Sequence, residues 1–268
     1  MTNKKVALIT GASSGFGELT AVLRAEKGYR VFGTSRREQS AAPQNVEMLV
    51  LNVQSDQSVH ACIENLLVLT NRIDLLINNA GQAHASVIEE TSLQEARDVF
   101  ETNFWGVVRV TSAVLPVMRQ QRSGHIINVS SLAGLIGAVG QGFYSASKFA
   151  LEGYSEALSI EVGQFNIKVS LIEPGFFKTN LHQSMSPSTN VLADYKSLRN
   201  AIESSLKQAI LEGDEPEKVA AMIVRIASSK SPRLRYRVGS DAVWVPRLKA
   251  MLPESLFRLG LRRRFNLP

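Results

Sequence analysis

Tyr144 and Lys148 stand four residues apart in a segment of helical period, which puts phenol and ammonium on one helix face, a turn apart. An ammonium beside a phenol stabilises phenolate and brings a pKa of about 10 nearer neutrality, so Tyr144 could give or take a proton. Ser131 lies thirteen residues earlier, at the end of a predicted strand, and could donate a hydrogen bond to a carbonyl or alkoxide oxygen. A Tyr-x-x-x-Lys pair alone is usually a surface pair. With a serine at the C-terminal end of a strand, where ligands bind in α/β sheets, the set points to acid–base chemistry. Asn103 falls inside a long predicted amphipathic helix, where Asn is a mediocre helix former, and is kept as a polar candidate.

A second set of residues points to a nucleotide. Thr10-Gly11-Ala12-Ser13-Ser14-Gly15-Phe16-Gly17 follows a predicted strand and opens a predicted helix, where backbone N–H groups and the helix dipole can hold a pyrophosphate. Glycines also end strands merely to turn, but strand, glycine loop and helix in this order favour nucleotide binding. The second strand ends at Ser35-Arg36-Arg37, where NAD-binding folds commonly place an acid for the ribose diol. Two guanidiniums suit a 2′-phosphate instead, so NADP(H) is favoured over NAD(H). Asn78-Asn79-Ala80-Gly81 forms a small polar turn after the fourth strand, able to lie beside the adenine ribose.

The elements that must position these groups alternate in type. Predicted strands cover residues 6–10, 30–35, 46–52, 73–78, 125–130, 168–173 and 235–239, with helices between them, the first over 15–27. Continuously apolar strand centres, as in Asp-Leu-Leu-Ile-Asn-Asn, predict a doubly wound α/β Rossmann-type fold: one seven-stranded parallel sheet with helices on both faces. Residues 1–240 are expected to form a single dinucleotide-binding and catalytic domain, because no linker or repeat divides them. The irregular stretch 176–198 reads as a substrate lid. Phe143, Phe176, Phe177, Leu181, Met185 and Leu192 could line an apolar pocket, though such residues are most often core.

Composition narrows the class. The 268 residues carry one cysteine, Cys62, which excludes an intrachain disulfide and fits a reducing, cytoplasmic setting. The four histidines fall in no zinc-hydrolase pattern, and a metal-free chemistry is expected. The N-terminal run reads as a strand rather than a signal peptide, and no membrane span is expected. Of the formal charge of +6, residues 231–268 hold +7, so basicity is local and argues against a nucleic-acid partner. In that extension, 241–268, apolar residues alternate with basic ones, and prolines 246 and 253 are expected to prevent one long helix. It is expected to pack on the same domain, closing the cleft or meeting a second subunit of a dimer or tetramer, with an anionic membrane surface as the next reading.

Taken in order, Thr-Gly-Ala-Ser-Ser-Gly-Phe-Gly, Asn-Asn-Ala-Gly, Asn103, Ser131, Tyr144-Ser-Ala-Ser-Lys148 and Pro174-Gly175 resemble the short-chain dehydrogenase/reductase pattern, over residues 4–240 or so. The resemblance implies a catalytic set of Asn103, Ser131, Tyr144 and Lys148, with Asn103 holding a water that links Lys148 to solvent. It also implies cofactor contacts from Gly11, Ser13, Ser14, Gly15, Phe16 and Gly17 in the loop, from Asn79, Ala80 and Gly81, and from Pro174, Gly175 and Thr179 near the nicotinamide. Asn52, with Val53 beside it, stands where the family usually has an aspartate near the adenine. Ser130 adjoins Ser131, and the thirteen-residue interval to Tyr144 matches the family for Ser131. Length and the run Arg235-Tyr236-Arg237-Val238-Gly239 look most like the 17β-hydroxysteroid and retinol dehydrogenase branch. The expected activity is hydride transfer between NADP(H) and a small-molecule carbonyl or secondary alcohol. A catalytically silent dinucleotide sensor or a membrane-surface scaffold are the alternatives.

Overall fold

In β1 (Val6–Ile9), Val6 and Leu8 enter one apolar cluster while Ala7 and Ile9 enter another, because successive strand side chains point to opposite faces. The structure is a computed structural model that describes residues 4–39, 41–179, 189–265 and 267. The remaining strands are β2 (Arg30–Ser35), β3 (Val46–Val50), β4 (Leu75–Asn78), β5 (Gly124–Val129), β6 (Ile167–Pro174) and β7 (Arg235–Val238). They form one seven-stranded sheet in the order β3-β2-β1-β4-β5-β6-β7, every pair parallel. The order reverses between β1 and β4, the crevice where doubly wound sheets bind their ligands.

Helices cover both faces. One cluster joins the sheet to α2 (Asp56–Thr70) and α4 (Gly106–Gln121) through Val59, Ile63, Leu66, Val110, Val114 and Met118. The other joins it to α1 (Gly15–Glu26) and α7 (Glu217–Ala227) through Ala21, Val219, Ile223 and Ile226. Between α2 and α4, α3 (Leu93–Phe100) starts at a capping box in which Ser92 and Glu95 satisfy each other's backbone N–H groups. The long helix expected around Asn103 is interrupted: α3 passes into a π-helical turn, Glu101–Trp105, before α4 begins. Beyond it lie α5 (Gly142–Glu161), α6 (Lys196–Leu211), α8 (Ser240–Met251) and α9 (Glu254–Arg264).

Two sequence expectations are corrected. Pro246 lies inside α8 and does not end it; the break falls at Leu252 and Pro253. One missing N–H costs α8 a single backbone bond, and the helix is held from outside, where Ala242, Val245 and Phe257 of α9 pack with Leu132 and Ile136. Residues 196–198 of the expected lid form the first turn of α6, and 193–195 a 3-10 turn. That end is fastened by an acidic set: Glu90 pairs with Arg199 and accepts from Leu192 N (2.8 Å), and Glu89 accepts from the Tyr195 hydroxyl (2.6 Å). Residues 180–188, which include Leu181 and Met185, lie outside the described residues.

Around the last strand of the sheet runs a part-buried ionic network. Arg235 on β7 reaches Glu152 on α5 (3.1 Å), Glu156 (3.0 Å) and Glu173 on β6 (3.4 Å), and Arg237 also reaches Glu173 (3.2 Å). Glu173 is fully buried, and that burial pushes its carboxyl up from 4.5 to about 7, with Glu152 adding repulsion and both arginines opposing.

Gly17 faces the Gly11 carbonyl oxygen and the Asn79 amide so closely that a Cβ would collide with both. Gly17→Ala should therefore lower the thermal midpoint by roughly 5 °C or more. Gly153→Ala, on an open face of α5 with nothing within 4 Å of the new methyl, should instead add about 0.5–1 kcal/mol. Opposite outcomes in calorimetry check the contrast; two stabilised variants would contradict it. Arg235→Met leaves Glu152 and Glu173 short of a cation, and should cost roughly 2–3 kcal/mol, since Arg237 remains and Arg235 is 33% exposed. A carboxyl raised from 4.5 to about 7 carries no burial cost below its unfolded pKa and a growing cost as pH rises to 7. The deficit of Arg235→Met, measured by denaturant titration, should be larger at pH 8 than at pH 5.

Candidate active site

The groups singled out for chemistry meet at the C-terminal edge of β4 and β5. Ser131 lies two residues beyond the end of β5 and opens a 3-10 turn (Leu132–Gly134), its hydroxyl accepting from Ala133 N at 3.1 Å. The same hydroxyl lies on the side of the Tyr144 phenol and helps to hold its pKa down; Tyr144 comes from the first turn of α5. Ser130 is turned the other way: its buried hydroxyl faces Glu152, within α5. The two adjacent serines are thus told apart by orientation, with Ser131 on the side of Tyr144.

Lys148 lies one turn beyond Tyr144 and is buried. Its ammonium donates to the Val129 carbonyl at 2.9 Å and stands 5.8 Å from the centroid of the Tyr144 ring. Burial lowers its pKa from 10.5 to about 8, and the nearby Glu152 carboxylate pulls it back up. Tyr144 shifts opposite to the lowering that the spacing alone implied: desolvation raises its pKa, and the Ser131 hydroxyl only partly offsets this. The ammonium is committed to a backbone carbonyl, so burial dominates at the phenol.

Asn103 is fully buried in the π turn. Its Oδ1 accepts from Gln82 N (2.9 Å), and its Nδ2 donates to Gln82 O (3.0 Å) and to Ser147 Oγ (3.2 Å). Ser147 Oγ donates in turn to the Tyr144 carbonyl (2.7 Å), which ties Asn103 to the helix that carries Tyr144 and Lys148. A Cβ on Gly81 would lie 3.3 Å from Asn103 Oδ1 and 3.9 Å from Lys148 Nζ, so both groups face the same small space. Sequence reasoning passed over Ser147, whose back-bond to a carbonyl three residues earlier is a habit of helical serines. It also passed over Gln82 and over Glu152, one turn beyond Lys148.

The nucleotide residues divide into those open to a ligand and those occupied by the fold. Gly15 has φ +59°, and a Cβ placed on it would meet nothing within 4 Å; the exposed Ser14 at the N-cap of α1 makes no capping bond. That leaves room and first-turn N–H donors at the helix start, as a pyrophosphate needs. Ser13 is exposed beside them. Gly11, at φ +66°, presses against Ala80, and Asn79 Nδ2 donates to the carbonyls of Thr10 (3.0 Å) and Gly11 (2.9 Å), so this turn fastens the loop to β4. The Phe16 ring packs edge-on against Phe177 at 5.6 Å, in the core.

At the end of β2, Ser35 accepts from Gln39 Nε2 (2.7 Å), while Arg36 and Arg37 are exposed and make no ion pair among the described residues. Asn52 Oδ1 accepts from Gln54 N (3.2 Å) and shapes the turn into α2, and the side chain of Val53 packs against Gly106. Pro174 ends β6, Gly175 N donates to Val238 O (2.9 Å), and Thr179 is half-buried. Of the apolar candidates, Phe177 belongs to the core, Phe143 and Leu192 are half-buried, and Phe176 packs against Val87, Ile202 and Leu206 below α6.

A family model for short chain dehydrogenases matches residues 5–190. The chain is 42% identical over 266 residues to a 3-ketodihydrosphingosine reductase of Bacteroides thetaiotaomicron, covering 96% of this chain and 97% of that protein. It is 36% identical over 273 residues to retinol dehydrogenase 8 of Bos taurus, with 93% and 86% covered. A short-chain dehydrogenase from Streptomyces avermitilis superimposes with a TM-score of 0.83 at 34% identity, over 99% of this chain and 98% of that one. Among the described residues no helix is long and apolar enough to cross a membrane. With the doubly wound sheet, the glycine loop at its switch point and matches along nearly the whole length, the chain belongs to the short-chain dehydrogenase/reductase family of oxidoreductases.

Proposed function

We propose that this chain is an NADP(H)-dependent reductase of a hydrophobic ketone, also able to run the reverse oxidation of the secondary alcohol. The observation that carries it is the convergence of Ser131, Tyr144 and Lys148 beside the turn that fastens the glycine loop, with the Lys148 ammonium 5.8 Å from the centroid of the Tyr144 ring. When bound, the dinucleotide supplies or accepts a hydride. Residues 11–17 and Asn79 would cradle it, and Arg36 and Arg37 would take the 2′-phosphate. Tyr144 donates its proton to the developing alkoxide, and Ser131 donates a hydrogen bond to the same oxygen. A phenol raised by burial stays protonated at neutral pH, which suits a proton donor and favours reduction. Lys148 keeps its charge below about pH 8 and would hold the nicotinamide ribose.

The names of two relatives, a 3-ketodihydrosphingosine reductase and retinol dehydrogenase 8, support an apolar substrate. The cluster of Phe176, Val87, Ile202 and Leu206 supplies an apolar wall near the site. Exposed Trp105, Phe149 and Ile160 support a homo-oligomer.

NADPH consumption with 3-ketodihydrosphingosine and a panel of smaller ketones tests the assignment. Tyr144→Phe should reduce turnover to below a few per cent while NADP(H) affinity holds, and Lys148→Met should weaken both. Ser131→Ala should lower kcat by about 10²–10³, whereas Ser130→Ala stays within a few-fold of the parent. Comparable losses in the two serine variants would sink the orientation argument. Arg36→Ala or Arg37→Ala should weaken NADPH about tenfold in equilibrium titrations and leave NADH unchanged. Equal losses for both dinucleotides would move the preference elsewhere.

A further inference from the structure

α8 and α9 each show apolar side chains on two sides. The inner side is accounted for, since Ala242, Val245 and Phe257 pack with Leu132 and Ile136 behind the turn that follows Ser131. On the outer side Trp244, Leu248 and Met251 recur at i, i+4 and i+7 of α8, with exposures of 59%, 45% and 80%. Leu256 and Leu259 recur at i and i+3 of α9, exposed by 53% and 42%, and Leu252 between the helices is exposed as well. These are the large apolar groups a water-facing helix would exclude.

The charges on the same two helices are one-sided. Arg247, Arg262, Arg263 and Arg264 make no ion pair among the described residues, and the Arg247 guanidinium lies over the Trp244 ring at 5.2 Å. Of the two acids, Asp241 is turned inward and accepts from Phe176 N (2.8 Å) and Ala242 N (2.9 Å). Glu254 is matched by Arg258 at 3.7 Å. On α9, Arg263 falls on the face of Leu256 and Leu259, seven and four residues on, so cation and apolar groups point the same way.

We propose that the outer faces of α8 and α9 dock the protein peripherally on an anionic lipid bilayer. The leucines, Met251 and the Trp244 ring enter the headgroup–acyl boundary, and the arginines meet lipid phosphates. A second copy fits the charge pattern poorly, because a two-fold interface would set the arginine clusters near each other with no acid on this face to answer them. Docking does not rest on the catalytic assignment. It sets the bilayer on the far side of helices whose inner faces touch the loop after Ser131 and the backbone of Phe176.

The test uses the full chain with Trp105→Phe, which leaves Trp244 as the single tryptophan. Co-sedimentation should show binding to vesicles of phosphatidylglycerol mixed with phosphatidylcholine, weak binding to phosphatidylcholine alone, and release by high salt. Brominated acyl chains should quench Trp244. Arg262→Ala, Arg263→Ala and Arg264→Ala together should weaken binding about a hundredfold, and Leu256→Ser with Leu259→Ser should abolish quenching. All five positions sit at the surface or close to it, so thermal midpoints and NADPH turnover should hold in both variants. Absent binding to anionic vesicles at low salt, or equal binding by the arginine variant, would overturn the proposal. A lipid-free dimer seen in sedimentation, dissolved by the leucine variant, would give the face to a second copy instead.

Discussion

Gly11 and Ala80 approach more closely than any side chain at position 11 would permit: a Cβ there would fall 2.9 Å from the Ala80 Cα. This contact lies where β1 and β4 leave the sheet side by side, and it is reinforced from Thr10, whose hydroxyl accepts from the N–H groups of both Asn79 and Ala80 at 3.0 Å. The loop that would hold a pyrophosphate is therefore fixed to the turn after β4. The next residue of that turn, Gly81, abuts Asn103 and Lys148. The loop that would cradle a nucleotide and the groups proposed for acid–base chemistry are parts of one backbone unit, and a small shift in either would disturb the other.

Electrostatics extends the same unit to the far edge of the sheet. Burial weakens the hold of Lys148 on its proton, and Glu152 restores part of it. Glu152 can serve this way only while it is ionised, and desolvation works against that as well. Arg235 on β7 opposes the desolvation, and it divides its charge among Glu152, Glu156 and Glu173. In the proposed reaction the charge on the amine near the substrate thus depends on a strand 83 residues beyond Glu152 in the chain.

What was legible in the sequence follows from how local the cause is. β2 runs over residues 30–35 as its β-branched and turn signals imply, and the other strands differ by a few residues at their ends. That Tyr144, Lys148 and Ser131 come together was legible because the acid–base chemistry proposed for them demands fixed types at fixed spacing on regular elements. The π turn around Asn103 was not, since one extra residue per turn leaves no mark on composition. Pro246 reads as a helix breaker by its own rule, and contacts with segments far away in the chain, among them Leu132, Ile136 and the Leu135 carbonyl that accepts from Lys249, hold α8 in place. The opposed orientations of Ser130 and Ser131, and the partnership of Arg235 with three carboxylates, depend on packing between distant segments and have no signature in either neighbourhood.

The C-terminal helices show how a correct pattern can leave its meaning open. Alternating apolar and basic residues announce short amphipathic helices, but an amphipathic helix has one apolar side, and α8 has two. Ala242 and Val245 meet the domain, while Trp244, Leu248 and Met251 point away from it, so packing on the domain satisfies only part of the apolar surface. A helix apolar on opposite sides belongs between two layers. The first layer is the turn after Ser131. Arg247 over the Trp244 ring and Arg263 on the face of Leu256 and Leu259, neither in an ion pair among the described residues, set the chemistry that the second layer must have: apolar within, anionic at its surface.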